Sequence, residues 1–357
     1  MPIPRTRGRC SKGSPRSLPI ADWPESDQRA WMDACRPGHR FRQGGSAAHL
    51  AQVSRRDIAR RYGMFLDFVE RTAVLDRSAP VAAHTTPDNV SNYLRELQDR
   101  VRSVTVWNCI YKLRRCSELL APQADFRWLS EIEKDIAFTM QPKSKYDRLV
   151  LSERLLEAAM TLIIEAELSD CSPLERAKRV RNATMIAFLS LCPLRAKNFA
   201  ALEIGKTLRD IAGTWWITLP GQTTKSRNPL ERQVPNLIKP IMDKYIRAYR
   251  PVLLRPDRPN NSLWPSATRG AAMLPNNIST LISKITEETI GVAVCPHLFR
   301  TAVSSTAAIY CGDMPYLGTA LLDHRDPRVN EEHYKRASSM SAAQTYATLV
   351  DGLREHK

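Results

Sequence analysis

Pro296-His297-Leu298-Phe299-Arg300, then a run of small and apolar residues, then Leu321-Leu322-Asp323-His324, and finally Glu332-His333-Tyr334-Lys335-Arg336: this C-terminal segment decides how the chain is read. His297 and Arg300 stand three apart, a later histidine follows at His324, and a tyrosine closes the series at Tyr334. Taken in that order they suggest a site that handles a phosphodiester. His333 is a neighbour only, because adjacent residues of one helix do not share a face.

The chain around this segment has 357 residues, 43% of them hydrophobic, which suits two domains better than one small core. Its formal net charge of +16 exceeds what solubility requires. Such a surplus finds its natural partner in a polyanion, above all nucleic acid, with a merely basic, solvated surface as the alternative. The eight cysteines (Cys10, Cys35, Cys109, Cys116, Cys171, Cys192, Cys295 and Cys311) are scattered. No Cys-x-x-Cys pair and no Cys/His cluster at zinc spacing occurs, so they read as reduced thiols, and no metal site or cofactor is expected. The basic N-terminus lacks an apolar h-region, and no apolar run approaches the roughly 18 to 20 residues of a membrane span. A soluble, cytoplasmic protein without a membrane partner is the expectation.

Residues 1–45 are rich in Arg, Pro, Gly and Ser and read as a flexible basic arm with a short helix near Asp27 to Cys35. The competing reading is an ordered strap that packs Trp23 and Trp31 on the next domain. From Ala47 the pattern turns helical: Leu50, Val53, Ile58, Tyr62, Phe65, Leu66 and Val69 form one apolar stripe, with Arg55, Arg56, Arg60 and Arg61 largely elsewhere. Thr86 and Pro87 form an N-cap and first-turn signal for a second helix carrying Val90, Tyr93, Leu94 and Leu97. A third starts near Ser103 with Val106, Ile110, Leu113 and Leu120. Residues 46–142 therefore read as a compact helical domain whose basic faces, beside a basic linker at Gln141 to Lys145, favour clasping DNA.

Residues 143–357 form the second domain. Ser152 is read as the cap of an apolar helix with Leu155, Leu156, Ala159 and Ile163, and a further helix runs to Leu191, halted by Pro193. Arg195 stands two residues after that proline, so it is held stiffly. Trp215, Ile217 and Leu219 alternate with Trp216 and Thr218, the signature of a strand, and Leu230 to Val234 returns as its partner. The tip between them carries Thr224-Lys225-Ser226-Arg227, so Lys225 sits on a mobile loop. Helices resume at Leu237 to Tyr249 and at Asn277 to Glu288. The fold class is mainly α with a small antiparallel hairpin, in two domains.

Arg195, Lys225, His297, Arg300, His324 and Tyr334, in this order, resemble the active-site set of the tyrosine recombinases, the phage-integrase family. The resemblance covers most of the chain, with residues 46–142 similar to that family's core-binding domain and the remainder to its catalytic domain. It implies a site-specific recombinase or integrase that cuts and rejoins double-stranded DNA through a 3′-phosphotyrosyl intermediate, without metal or ATP. Arg195 and Arg300 would hold the phosphate oxygens through forked donors. Tyr334, with an ordinary pKa of about 10, would attack with His297 as general base or proton shuttle. Lys225 would protonate the departing 5′ oxygen, and His324 would hydrogen-bond the phosphate. The resemblance also implies a tetramer on two DNA sites, with or without a partner recombinase, in which an amphipathic C-terminal helix (Ala342 to Leu353) docks on a neighbouring protomer. Packing on its own domain is the alternative for that helix.

Two positions depart from the family pattern. Asn198 stands where an acidic residue is usual, and Asp323 where glycine usually precedes the histidine. They keep open the alternative of a catalytically weak or inactive DNA-binding accessory protein of the same fold. A type IB topoisomerase-like nicking-closing enzyme, which uses related chemistry without synapsis, is a further alternative.

Overall fold

The computed structural model describes residues 17–142, 148–224, 227–311, 314, 316–323, 346, 347, 351 and 354. The chain divides into two compact units, Met1–Lys143 and Ser144–Lys357.

The first unit is helical: α1 (Glu25–Cys35), α2 (Gln52–Thr72), α3 (Pro87–Arg100), α4 (Ser103–Leu120) and α5 (Arg127–Thr139). Its core draws Tyr62, Phe65 and Leu66 from α2, Val90, Tyr93 and Leu97 from α3, Ile110 and Leu113 from α4, and Leu129 from α5. These positions recur at the helical period, so one stripe of each helix faces inward. Val53 departs from that stripe and is 73% exposed in the first turn of α2. Thr86 caps α3 as its sequence predicts, its Oγ1 accepting from the Asn89 N–H at 3.3 Å with Pro87 in the first turn.

From Ser17 onward the N-terminal segment is an ordered strap, which corrects the flexible-arm reading for residues 17–45; residues 1–16 lie outside the described part. Trp23 is 1% exposed and meets the Tyr62 ring edge-on at 4.9 Å, and Trp31 is buried beside it. Each indole removes on the order of 200 Å² from water, which offsets part of the cost of ordering the strap. Asp27, fully buried, accepts from the Tyr62 hydroxyl at 2.7 Å and from the Ala82 N–H at 2.7 Å, fastening the strap to two places at once.

The second unit begins with α6 (Ser152–Leu168) and α7 (Pro173–Leu191), continues through the short α8 (Ala196–Ala200), and then forms β1 (Leu208–Ile211), β2 (Thr214–Leu219) and β3 (Leu230–Gln233). Next come α9 (Lys239–Lys244), a π-helical turn at Tyr245–Tyr249, and α10 (Arg250–Leu253), followed by α11 (Pro275–Ile290), α12 (Pro296–Tyr310) and α13 (Leu317–Leu322). Ser152 is the first residue of α6, not its cap: Leu151 holds the cap position, and the Ser152 N–H donates to Thr306 Oγ1 at 2.9 Å.

Among the described residues the sheet is antiparallel in the order β1-β2-β3, with Leu208 opposite Ile217 and Leu219 opposite Leu230. Trp215, Ile217 and Leu219 turn into the core, as their alternation requires. The result is the mainly helical architecture with a small antiparallel sheet that the sequence leads one to expect. Helix α12 is its central element. Residues 298–305 are all buried, with the apolar Leu298, Phe299, Ala302 and Val303 among them.

Part of the basic surplus is structural. Arg181 donates to the Pro265 carbonyl at 2.8 Å, and Arg250 to those of Ser262 and Asn260 at 2.8 and 2.7 Å. With the Tyr245 hydroxyl on the Leu263 carbonyl, they hold a loop that would otherwise leave its backbone acceptors unpaired. No helix of the described residues is long and apolar enough to cross a membrane. No group of three or more His, Cys, Asp or Glu among them could hold a metal ion.

Candidate active site

The site begins where Pro193 ends α7. Phe188 on α7 and Phe199 on α8 pack on Trp264, with ring centroids 6.1 and 4.9 Å from it, so both sides of the intervening turn are anchored in the core. Arg195 occupies the cap position of α8, its carbonyl accepting from the Phe199 N–H at 2.9 Å. The backbone of Arg195 is thereby fixed. Its half-buried guanidinium makes no hydrogen bond or ion pair with a described residue, which leaves its donor fork for a ligand.

Arg300 reaches the same place from α12. It is 8% exposed, and its two terminal nitrogens donate to the carbonyls of Pro193 at 2.6 Å and Leu322 at 2.7 Å. A guanidinium is suited to this, because its planar fork can meet two acceptors while further N–H groups remain for a third. Arg195 and Arg300 line one narrow cleft together with Asn198, Thr224, Arg232 and Asp323.

Burial pushes the Arg300 pKa down to about 10, and the like charges of Arg195 and Arg232 act in the same direction while Asp323 opposes them. Arg300 is still cationic at neutral pH. Three guanidiniums facing one carboxylate make a cleft that an anion would stabilise.

Arg232 is the residue that sequence reading passed over. It lies on β3, where Leu230, Arg232 and Val234 share the inward-facing side and Glu231 and Gln233 point outward. An arginine in register with apolar neighbours was the available signal. Its guanidinium donates to the carbonyls of Leu321 at 2.7 Å and Ala320 at 3.0 Å.

Asp323 ends α13 in the left-handed region, with φ +49° and ψ +48°. Glycine adopts that conformation without a Cβ penalty, and aspartate is one of the few other residues that visit it. Asn198 is buried at 7% exposure on the first turn of α8, also lining the cleft.

His297 sits in the first turn of α12, exposed, one helical turn before Arg300 and on the same side of the helix. Lys225, His324 and Tyr334 lie outside the described residues, as does most of the expected C-terminal helix. The base of the hairpin tip is pinned just before Lys225: the Thr224 hydroxyl lies 3.0 Å from the Gly221 carbonyl and 2.7 Å from that of Asn228. Gly221 is required there, since a Cβ would come within 2.4 Å of the Arg227 carbonyl oxygen.

Among solved structures, the chain is similar to XerH site-specific recombinase bound to difH substrate in a pre-cleavage complex: 14% identity, TM-score 0.56, covering 91% of this chain and 99% of that one. It is also similar to a lambda integrase (75–356) dimer bound to a COC′ core site, at 14% identity and TM-score 0.46, covering 81% and 90% of the two chains. No protein-family model matches the chain, and no curated protein matches it. The fold assignment rests on the XerH match. This chain has the fold of the tyrosine recombinases.

Proposed function

We propose that the protein is a site-specific DNA recombinase or integrase that cleaves and rejoins double-stranded DNA through a tyrosyl intermediate. The observation that carries this reading is the convergence of Arg195 and Arg300, far apart in sequence, on one cleft of surplus positive charge within a recombinase fold. Attack on a phosphodiester builds charge on the non-bridging oxygens, and guanidiniums set in place beforehand stabilise that charge without reorganising.

In this proposal the Tyr334 phenol oxygen attacks phosphorus, and its proton passes to His297. The bond to the 5′ oxygen breaks, and that oxygen takes a proton from Lys225, leaving a 3′-phosphotyrosyl link and a free 5′-hydroxyl. His324 hydrogen-bonds the phosphate. The link retains the energy of the phosphodiester, so a 5′-hydroxyl from another strand reverses the step and completes exchange without ATP or metal. Exchange between two duplexes needs four such sites, hence self-association to a tetramer on DNA, in the cytoplasm where the substrate would be met.

The test is a duplex nicked close to the cleavage position, incubated with wild type and with Tyr334→Phe. A covalent protein–DNA adduct with wild type alone supports the recombinase. DNA binding without any adduct supports instead the inactive accessory protein.

A further inference from the structure

The carbonyl end of α13 is held by two arginines from two different elements. Ala320 and Leu321 accept from Arg232 on β3, and Leu322 accepts from Arg300 on α12. The last carbonyls of a helix lack an intrahelical i+4 donor and carry its negative dipole end, so two guanidiniums are well matched to them, although Ala320 also accepts from the Asp323 N–H at 3.4 Å. The arrangement costs something: burial and the like charge of Arg195 already lower the Arg300 pKa, and the like charge of Arg232 lowers it further. A neutral donor on β3 could serve the same carbonyls without that repulsion.

From this the geometry points to Arg232 as a positioning residue of the proposed cleavage reaction, an inference that rests on the recombinase reading. Its fork spans two successive carbonyls and ties the hairpin that bears Lys225 to the turn that ends in Asp323. The same turn is bonded to Arg300. The hairpin strand, the turn and the phosphate-facing arginine are thus set in one register, and the residue that follows Asp323 in sequence is His324. Arg232 acts through these neighbours, by fixing where they stand.

The fork matters more than the charge. A lysine would keep the cation but present a single ammonium, unable to meet both carbonyls with the same planar geometry. A small displacement of groups that must face a reacting phosphate costs rate steeply, while leaving the many other DNA contacts in place.

The experiment measures single-turnover adduct formation on the nicked duplex with wild type, Arg232→Ala and Arg232→Lys, across a range of protein concentrations, together with the thermal unfolding midpoint of each. Both variants are expected to lose about 10- to 100-fold in the rate at saturation, with the half-saturating concentration within about twofold of wild type. Arg232→Lys keeps the charge and the aliphatic stem, so it remains a fair test should the alanine variant unfold. Wild-type rate in Arg232→Lys would reduce Arg232 to a generic cation and overturn the inference. So would a loss that appears only as weaker DNA binding. A wild-type protein that forms no adduct at all would remove the recombinase reading and this inference with it, which is a different result from a fully active Arg232→Lys.

Discussion

The guanidinium of Arg300 donates to the carbonyl of Pro193 at 2.6 Å, joining the central helix α12 to the turn that presents Arg195. The arginine that would hold the phosphate is therefore also a structural tie. Arg300→Lys keeps the charge but loses the fork across Pro193 and Leu322. It should lower stability by about 1–3 kcal/mol, as expected for buried acceptors left unpaired, and reduce adduct formation by roughly 100-fold or more. Denaturant unfolding and the nicked-duplex assay measure the two effects separately.

Arg195 should behave differently. Its side chain makes no hydrogen bond or ion pair with a described residue, so Arg195→Ala should change stability by no more than about 0.5 kcal/mol. Adduct formation should nevertheless fall by roughly 100-fold. Equal losses of stability in Arg195→Ala and Arg300→Lys would contradict the division of roles.

Asp323 combines a left-handed backbone with a carboxylate at the cleft. Asp323→Gly should relieve the left-handed backbone by about 0.5–1 kcal/mol but give up the carboxylate's attraction to Arg300, so the net change in stability should stay within about 1 kcal/mol. It should also strengthen DNA binding at low salt, since one negative charge leaves the cleft. Weaker binding in the glycine variant would mean that the carboxylate organises the cleft and does not oppose the anion.

Burial raises the Asp27 carboxyl above its ordinary value, against the opposing pull of the Ala82 N–H, the Tyr62 hydroxyl and His84. With the folded pKa above the unfolded one, the stability this group contributes is fully present below about pH 4 and is lost as pH rises through the folded value. Asp27→Asn removes the titration. The melting temperature of wild type relative to Asp27→Asn should therefore decline as pH rises above about 4 and level off once the folded carboxyl has ionised. A difference that grows with pH would show the carboxylate to be favoured by its hydrogen bonds over its burial.

Local signals were legible in the sequence and long-range ones were not. The Thr86–Pro87 start of α3 could be read because a cap is decided within four residues. Strand β2 was visible through Trp215, Ile217 and Leu219, whereas β1 buries only Leu208 and shows no alternation. Trp23 and Trp31 stand in a polar, proline-containing stretch, and nothing local told that Tyr62 and Ala82 would fasten it. At the site, Arg195 and Arg300 were singled out by the resemblance of their order to a family's active-site set. Their meeting depends on Arg300 finding Pro193 and Leu322, and Arg232 finding Ala320 and Leu321, contacts with backbone atoms that leave no mark on the sequence.

The most direct measurement is the identity of the residue bonded to DNA. Adduct formed on the nicked duplex is digested with nuclease and protease, and the modified peptide is sequenced by mass spectrometry. The account predicts a nucleotide 3′-phosphate on Tyr334, and no such peptide from Tyr334→Phe. A nucleotide on any other residue, or DNA bound tightly with no covalent product, would contradict it.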